Sequence, residues 1–363
     1  MLCREYKIAT AKGNPEPTAM WNCKNMSPRL TGRSPFSNVP PMPILAHSSY
    51  SMPFPFSNGH VQTIYPSLFR QPPETSPQPE RIDTPDGDFL DLDWHYAPDG
   101  PHRRAAIVSH GLEGHSRKKY PLSMAAALTR EGWDVVCRNL RGCTETNRLL
   151  RFYHSGETED LHTVVRHVLG SGQYGEIALI GFSLGGNQTL KYLGENPTRI
   201  PSEVCKAVVY SVPCDLAGCA DVLDLPSRRI YMKYFMRGLR RKTRIKAEMF
   251  PGRIDITGLS GINSFWEFDT RFTGPIHGFK DAADYYEQSS SLQFIPAIRT
   301  PTLMVNAVND VFLTGSCYPE AEARANPNFY LEMPRTGGHV GFVQFNGTGL
   351  YWSEHRALAF LNE

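Results

Sequence analysis

Residues 176–193, EIALIGFSLGGNQTLKYL, restrict this chain more than any other stretch. Residues 177–180 form a short apolar run suited to a buried strand, and residues 187–193 read as helix. Between them Gly181-Phe182-Ser183-Leu184-Gly185 fits the pattern G-x-S-x-G. A strand that must turn into a helix over so few residues forces the serine into strained backbone geometry. The flanking glycines leave the room such a turn requires. The expected outcome is a serine hydroxyl standing exposed at the top of a sheet. The pentapeptide alone is weak, because glycine and serine are common, so the surrounding chain has to separate a working serine from an incidental one.

That chain alternates strands and helices. Residues 81–84 and 89–95 alternate in polarity around Pro85-Asp86-Gly87-Asp88, which predicts a hairpin with a glycine turn. Strands are then expected at 105–109, 133–140, 177–182, 207–212, 302–307 and 329–333. Helices are expected at 120–131, 157–169 and 352–361, the first stopped by Gly132. This order implies an α/β fold with a mostly parallel central sheet, helices on both faces and one antiparallel edge. Between the strands at 207–212 and 302–307 lies an interruption over about 214–300. It is too long for an ordinary connection and is expected to be a largely helical cap.

Within the cap, the run from Arg228 to Lys246 holds nine Lys or Arg and no acid. Ile230, Tyr231, Tyr234, Phe235 and Leu239 recur near helical spacing along it. A lid helix with a solvated basic face is the leading expectation. Peripheral contact with a lipid surface is the alternative. Prolines crowd the other end of the chain, with 14 of 29 in the first 80 residues. Residues 1–50 are accordingly expected to be a loosely ordered arm, and 51–363 a single domain. An apolar and aromatic cluster at 54–69 is expected to wrap onto that domain.

The net charge of +2 implies no preference for nucleic acid. The eight cysteines show no C-x-x-C pair, and the chain shows no secretory leader and no apolar run long enough to span a membrane. Cytoplasmic residence is expected ahead of organellar import. His162 and His167 stand five apart on a helix, a spacing no common zinc motif uses, so no metal is expected. Oligomeric state is left open.

A serine needs a base to activate it and a carboxylate to orient that base. In chain order the candidates are Ser183, then Asp310 in the loop after strand 302–307, then His339 after strand 329–333. Both later residues sit where loops leave the carboxyl ends of parallel strands, the edge at which such sheets bind ligands. Asp215 is the rival acid, and His277 and His110 are the rival bases. Two backbone N–H groups should face the developing oxyanion. Leu184, the residue after the serine, supplies one. Leu112 in His110-Gly111-Leu112-Glu113-Gly114 is the choice for the other. Arg141 and Glu157 suit a salt bridge that shapes loops better than catalysis, and Tyr285 and Tyr286 suit packing.

Several stretches together resemble the YheT-like branch of the α/β-hydrolase superfamily, which includes bacterial hydrolases and eukaryotic lipid esterases. They are NGHVQTIYPSLFR at 58–70, HGLEG at 110–114, NLRGC at 139–143, YHSGETEDL at 153–161, GFSLGGN at 181–187, PIHGFKDAADYYEQSS at 275–290, NAVND at 306–310 and GGHVGF at 337–342. The resemblance covers 54–362 and implies carboxylic-ester hydrolysis by Ser183, Asp310 and His339 without a cofactor. Residues 1–50 have no counterpart in it, and Asn309-Asp310-Val311 stands where Asp-Asp-Pro is usual. The membrane anchor common in eukaryotic branches is not visible. The expected activity is a serine esterase acting on a small-molecule acyl ester through an acyl-enzyme. Thioester or amide hydrolysis, or an idle fold that docks a partner, are the alternatives.

Overall fold

Nine strands join into one sheet in the computed structural model, which describes residues 43–45 and 47–363. They are β1 (Ile44–Leu45), β2 (Gln78–Asp83), β3 (Phe89–His95), β4 (Arg104–Ser109), β5 (Asp134–Arg138), β6 (Glu176–Phe182), β7 (Val204–Tyr210), β8 (Thr302–Val305) and β9 (Phe329–Glu332). Their spatial order is β1-β9-β8-β7-β6-β4-β5-β3-β2. Only the β2–β3 and β3–β5 pairs are antiparallel. The helices of eight or more residues, among the described residues, are α1 (Gly59–Phe69), α2 (Lys119–Arg130), α3 (Glu159–Gly170), α4 (Leu184–Glu195), α5 (Leu216–Asp224), α6 (Arg229–Met249), α7 (Ala282–Ser289) and α8 (Trp352–Asn362).

The central strands are apolar on both sides because helices cover both faces. Along β6, Ile177 and Leu179 pack with Leu161 and Val165 of α3 and Leu190 of α4. The intervening Ala178 and Ile180 pack with Met124 and Leu128 of α2 and Phe360 of α8. Each fully buried Leu, Ile, Val or Met of this kind contributes roughly 1.5–3 kcal/mol, which fixes the sheet centre beneath Ser183.

Two elements depart from the expectations. Within the stretch expected as a loose arm, Ile44 pairs in parallel with Leu331 of β9, and the Leu331 N–H donates to the Pro43 carbonyl at 2.7 Å. A two-residue pairing carries no sequence pattern that could announce it. The arm otherwise falls outside the described residues up to position 42. The second element is α1, where only an apolar cluster was expected. Asn58 caps it, accepting from the His60 and Val61 N–H groups at 2.8 and 3.3 Å.

Between β7 and β8 the chain builds a cap from α5, α6, short turns over residues 259–278, and α7. It has its own core, in which Phe235, Leu239 and Phe265 meet Val311 and Phe312 of the loop after β8. Among the described residues no helix is long and apolar enough to cross a membrane.

Arg141 fixes the loops at the carboxyl edge. Its guanidinium pairs with Asp160 at the start of α3, with Asp88 at 3.1 Å and with Asp86 at 2.8 Å, all nearly buried except Asp86. Glu157 pairs instead with Arg151. Breaking a buried ionic cluster from one side strands the remaining charges. Arg141→Met is therefore expected to lower unfolding free energy by roughly 3–5 kcal/mol, measured by denaturant titration. A loss below about 1 kcal/mol, the value of an exposed pair, would show that the cluster is not desolvated.

Candidate active site

The turn between β6 and α4 holds Ser183 at φ 54°, ψ −120°, a region that side chains seldom enter. Its N–H donates to the Tyr210 carbonyl at 2.8 Å, and its own carbonyl accepts from the Asn187 N–H at 3.0 Å, starting α4. The first turn of α4 lies directly on the end of β4. A Cβ at Gly185 would come within 2.5 Å of the Ser109 carbonyl oxygen, so only glycine allows the approach.

Ser183, Asp310 and His339 are brought into one hydrogen-bonded chain. His339 Nδ1 lies 2.9 Å from Asp310 Oδ2 and 3.1 Å from Oδ1, and its Nε2 lies 2.9 Å from Ser183 Oγ. The Asp310 side chain is fully buried, and Oδ1 also accepts from the Phe312 N–H at 2.9 Å. With Nδ1–H donating to the carboxylate, the Nε2 lone pair is left facing the serine hydroxyl.

The His339 loop is held from three sides. The His339 N–H donates to Thr63 Oγ1 on α1, Gly338 N–H to Asn309 Oδ1, and Val340 N–H to Ser211 Oγ beyond β7. The Phe312 ring rests on the imidazole at 4.3 Å between centroids. Thr63, Ser211 and Phe312 were not singled out in the sequence. A hydroxyl that acts across 276 residues of chain, or 129, leaves no local signature.

The rival residues are occupied elsewhere. Asp215 caps α5 by accepting the Gly218 N–H at 3.1 Å. Both ring nitrogens of His277 face backbone carbonyls, of Thr273 and Phe152. His110 donates from Nδ1 to the Gly111 carbonyl at 2.8 Å and accepts the Leu140 N–H on Nε2 at 3.1 Å. Burial pushes its pKa down to about 3, so it stays neutral and serves as a bracket for the loop.

That bracket orients the amides after β4. Gly111 N–H donates to the Tyr120 hydroxyl at 2.9 Å, and Glu113 N–H to the Tyr153 hydroxyl at 3.0 Å. A trans peptide points its N–H opposite its carbonyl, so fixing the Gly111 carbonyl on His110 turns the Leu112 N–H the other way. Among the described residues neither the Leu112 nor the Leu184 N–H has a hydrogen-bond partner. Both residues line the same cavity as Ser183 and His339.

The cap reaches this loop through charge. Lys242 Nζ of α6 lies 2.5 Å from Glu113 Oε1, which also accepts from the Tyr153 hydroxyl at 2.6 Å. Glu113 passes α6 at Gly238, where its carboxylate takes the space a Cβ would fill. Lys246 is also turned inward, to the carbonyls of Asn147 and Leu149, and burial lowers its pKa to about 8. The basic run is thus not wholly a solvated face, since two of its lysines are buried.

The cavity above Ser183 has a volume of about 100 Å³. Its cap side is apolar, from Leu216, Leu223, Phe235, Leu239 and Phe265. At another wall lies Asp269, in a π-helical turn spanning Asp269–Thr273. Its carboxylate accepts from the hydroxyls of Thr273 and, at 2.7 Å, Tyr286. Tyr285 and Tyr286 are packed as expected, but both also line the cavity.

A mostly parallel sheet with a strained serine between a central strand and its helix defines the α/β-hydrolase class. The family model described as the alpha/beta hydrolase fold matches residues 107–345. The Escherichia coli protein YheT, whose name carries the word esterase, is 35% identical over 308 residues, covering 83% of this chain and 89% of that one. Human phospholipase ABHD3 is 30% identical over 294 residues, covering 79% and 71%. The solved esterase of Pyrococcus furiosus superposes with a TM-score of 0.52 at 18% identity, over 79% of this chain and 92% of that chain. The chain belongs to the α/β-hydrolase family, in its YheT-like branch.

Burial raises the Asp269 carboxyl pKa to about 6, against an ordinary 3.8. The folded protein then binds this proton more tightly than the unfolded chain does. Its contribution to stability is complete below about pH 4 and is lost as pH rises through 6. Asp269→Asn removes the dependence. The stability of the wild type relative to this variant is expected to fall by up to about 3 kcal/mol between pH 4 and pH 7. Denaturant unfolding across that range checks it, and a pH-independent difference would overturn it.

Proposed function

We propose that this chain is a carboxylic ester hydrolase of the serine type, with Ser183 as nucleophile, His339 as general base and acid, and Asp310 orienting the imidazole. The observation that carries the proposal is the unbroken hydrogen-bonded sequence from Asp310 through both nitrogens of His339 to Ser183 Oγ. Ser183 Oγ attacks the ester carbonyl carbon while His339 Nε2 takes its proton. The carbonyl oxygen becomes an oxyanion facing the N–H groups of Leu112 and Leu184. Collapse expels the alcohol, which receives the proton from His339 and leaves an acyl group on Ser183. Water, deprotonated by the same nitrogen, then releases the acid.

Every group in this sequence is a side chain or amide of the chain itself, and no step calls for a metal or cofactor. The phospholipase name of the human relative agrees with an acyl ester as substrate, and the apolar cap side of the cavity suits an acyl chain. Thioesters and amides pass through the same tetrahedral geometry and are the second reading.

A fluorophosphonate probe is expected to label the wild type at Ser183. Ser183→Ala should abolish labelling, and His339→Ala should slow it at least about 100-fold. A folded wild-type protein that resists the probe would refute the assignment. A p-nitrophenyl ester series then reports the preferred acyl length.

The Glu113–Lys242 pair is assigned as a positioning contact for the Leu112 amide. Lys242→Met is expected to lower kcat roughly 10- to 100-fold with KM little changed, because the oxyanion donor is loosened while the acyl pocket remains. Adding Glu113→Gln, which removes the stranded buried charge, should restore part of the loss. A change confined to KM would assign the pair to substrate binding instead.

A further inference from the structure

Helix α6 has two faces with opposite uses of charge. Four of its basic residues or their neighbours work inside the molecule: Lys242 and Lys246 as described, Arg240 on the Ile262 carbonyl, and Arg228 on the Val311 carbonyl at 3.1 Å. Arg229, Lys233, Arg237, Arg241 and Arg244 are exposed instead. Their spacing of four, four, four and three residues makes one stripe along the helix. Among the described residues none of the five has an acidic partner. Ile230 and Tyr234, 66% and 54% exposed, flank the start of that stripe.

The stripe is continuous with a second surface. Lys118 Nζ lies 3.4 Å from the Tyr234 hydroxyl, and the adjacent Lys119 Nζ lies 2.9 Å from the Leu68 carbonyl of α1. Consecutive residues therefore bring the exposed edge of α6 to the end of α1. There Leu68 and Phe69 are about as exposed as Ile230, and Phe345 stands against Tyr65 beside them. His60 of α1 also bonds the Tyr231 hydroxyl at 3.0 Å, tying the two helices together.

Large apolar side chains held in water beside unpaired cations match one environment well. At a bilayer interface, apolar and aromatic groups enter the headgroup boundary while Lys and Arg meet lipid phosphates. A nucleic-acid duplex would engage the cations through its phosphates but has no use for the exposed aliphatic Leu68 and Ile230. We infer that α6 and the end of α1 form a docking surface for an anionic phospholipid bilayer. The inference does not rest on ester hydrolysis, because binding is read without turnover.

The full chain is tested by co-sedimentation with phosphatidylcholine vesicles and with vesicles that also contain phosphatidylserine. The wild type is expected to sediment with the anionic vesicles and to be released by salt. Replacing Lys233, Arg237 and Arg241 together by Ala should weaken that binding at least about tenfold. Ile230→Ser combined with Phe69→Ser should weaken it as well. Thermal midpoints close to wild type show that both variants are folded. Failure of the wild type to bind anionic vesicles, or unchanged binding by the charge variant, would overturn the inference. So would full binding by the apolar variant together with equal competition by a DNA duplex, which would reassign the stripe to a polyanion.

Discussion

The approach of the β6–α4 turn to the end of β4 is the contact on which the rest of the site depends. It places Ser183 in a backbone region that costs of order 1–3 kcal/mol, and the strain persists only because the surroundings over-determine it. A sheet covered on both faces supplies that rigidity. Of the non-glycine residues with positive φ among the described residues, Glu113, Ser183, Ser211, Val340 and Phe342 all lie in loops at this edge, and only Asp99 lies elsewhere. The strain is concentrated where the side chains and amides have to converge.

Much of this was legible in the sequence, for physical reasons. Period-two and period-3.6 hydrophobicity located the central strands and their helices, because both are buried against a continuous core. The turn chemistry around Ser183 survives in the letters, since Gly181 and Gly185 are there for want of space. His339 stood out from His277 by following a strand end, but Asp215 shares both chain order and a strand-end position with Asp310, and it is the structure that gives these rivals other partners.

What was not legible is what acts through space. Thr63 supports the His339 loop from α1, in a segment read from its sequence as an apolar and aromatic cluster. Ile44–Leu45 borrows its hydrogen bonds from β9 and needs no pattern of its own. The run from Arg228 to Lys246 looked uniform because charge does not reveal direction. Only the packing of α6 shows that Lys242 and Lys246 point inward while Arg237 and Arg241 point out. A one-dimensional charge count averages over two faces with unrelated roles.

The cap is joined to the reacting edge at two places already described. Phe312 belongs to the cap core and also rests on His339, and Lys242 reaches down to Glu113 beside the Leu112 amide. A cap fastened in this way is not an exchangeable module. Grafting a relative's cap onto this sheet, or letting the cap sequence drift to admit a new acyl group, would disturb His339, the proposed base, and the loop proposed to hold the oxyanion together. Change of substrate in this lineage is thereby channelled into the side chains that line the cavity, with the cap's backbone left where it is.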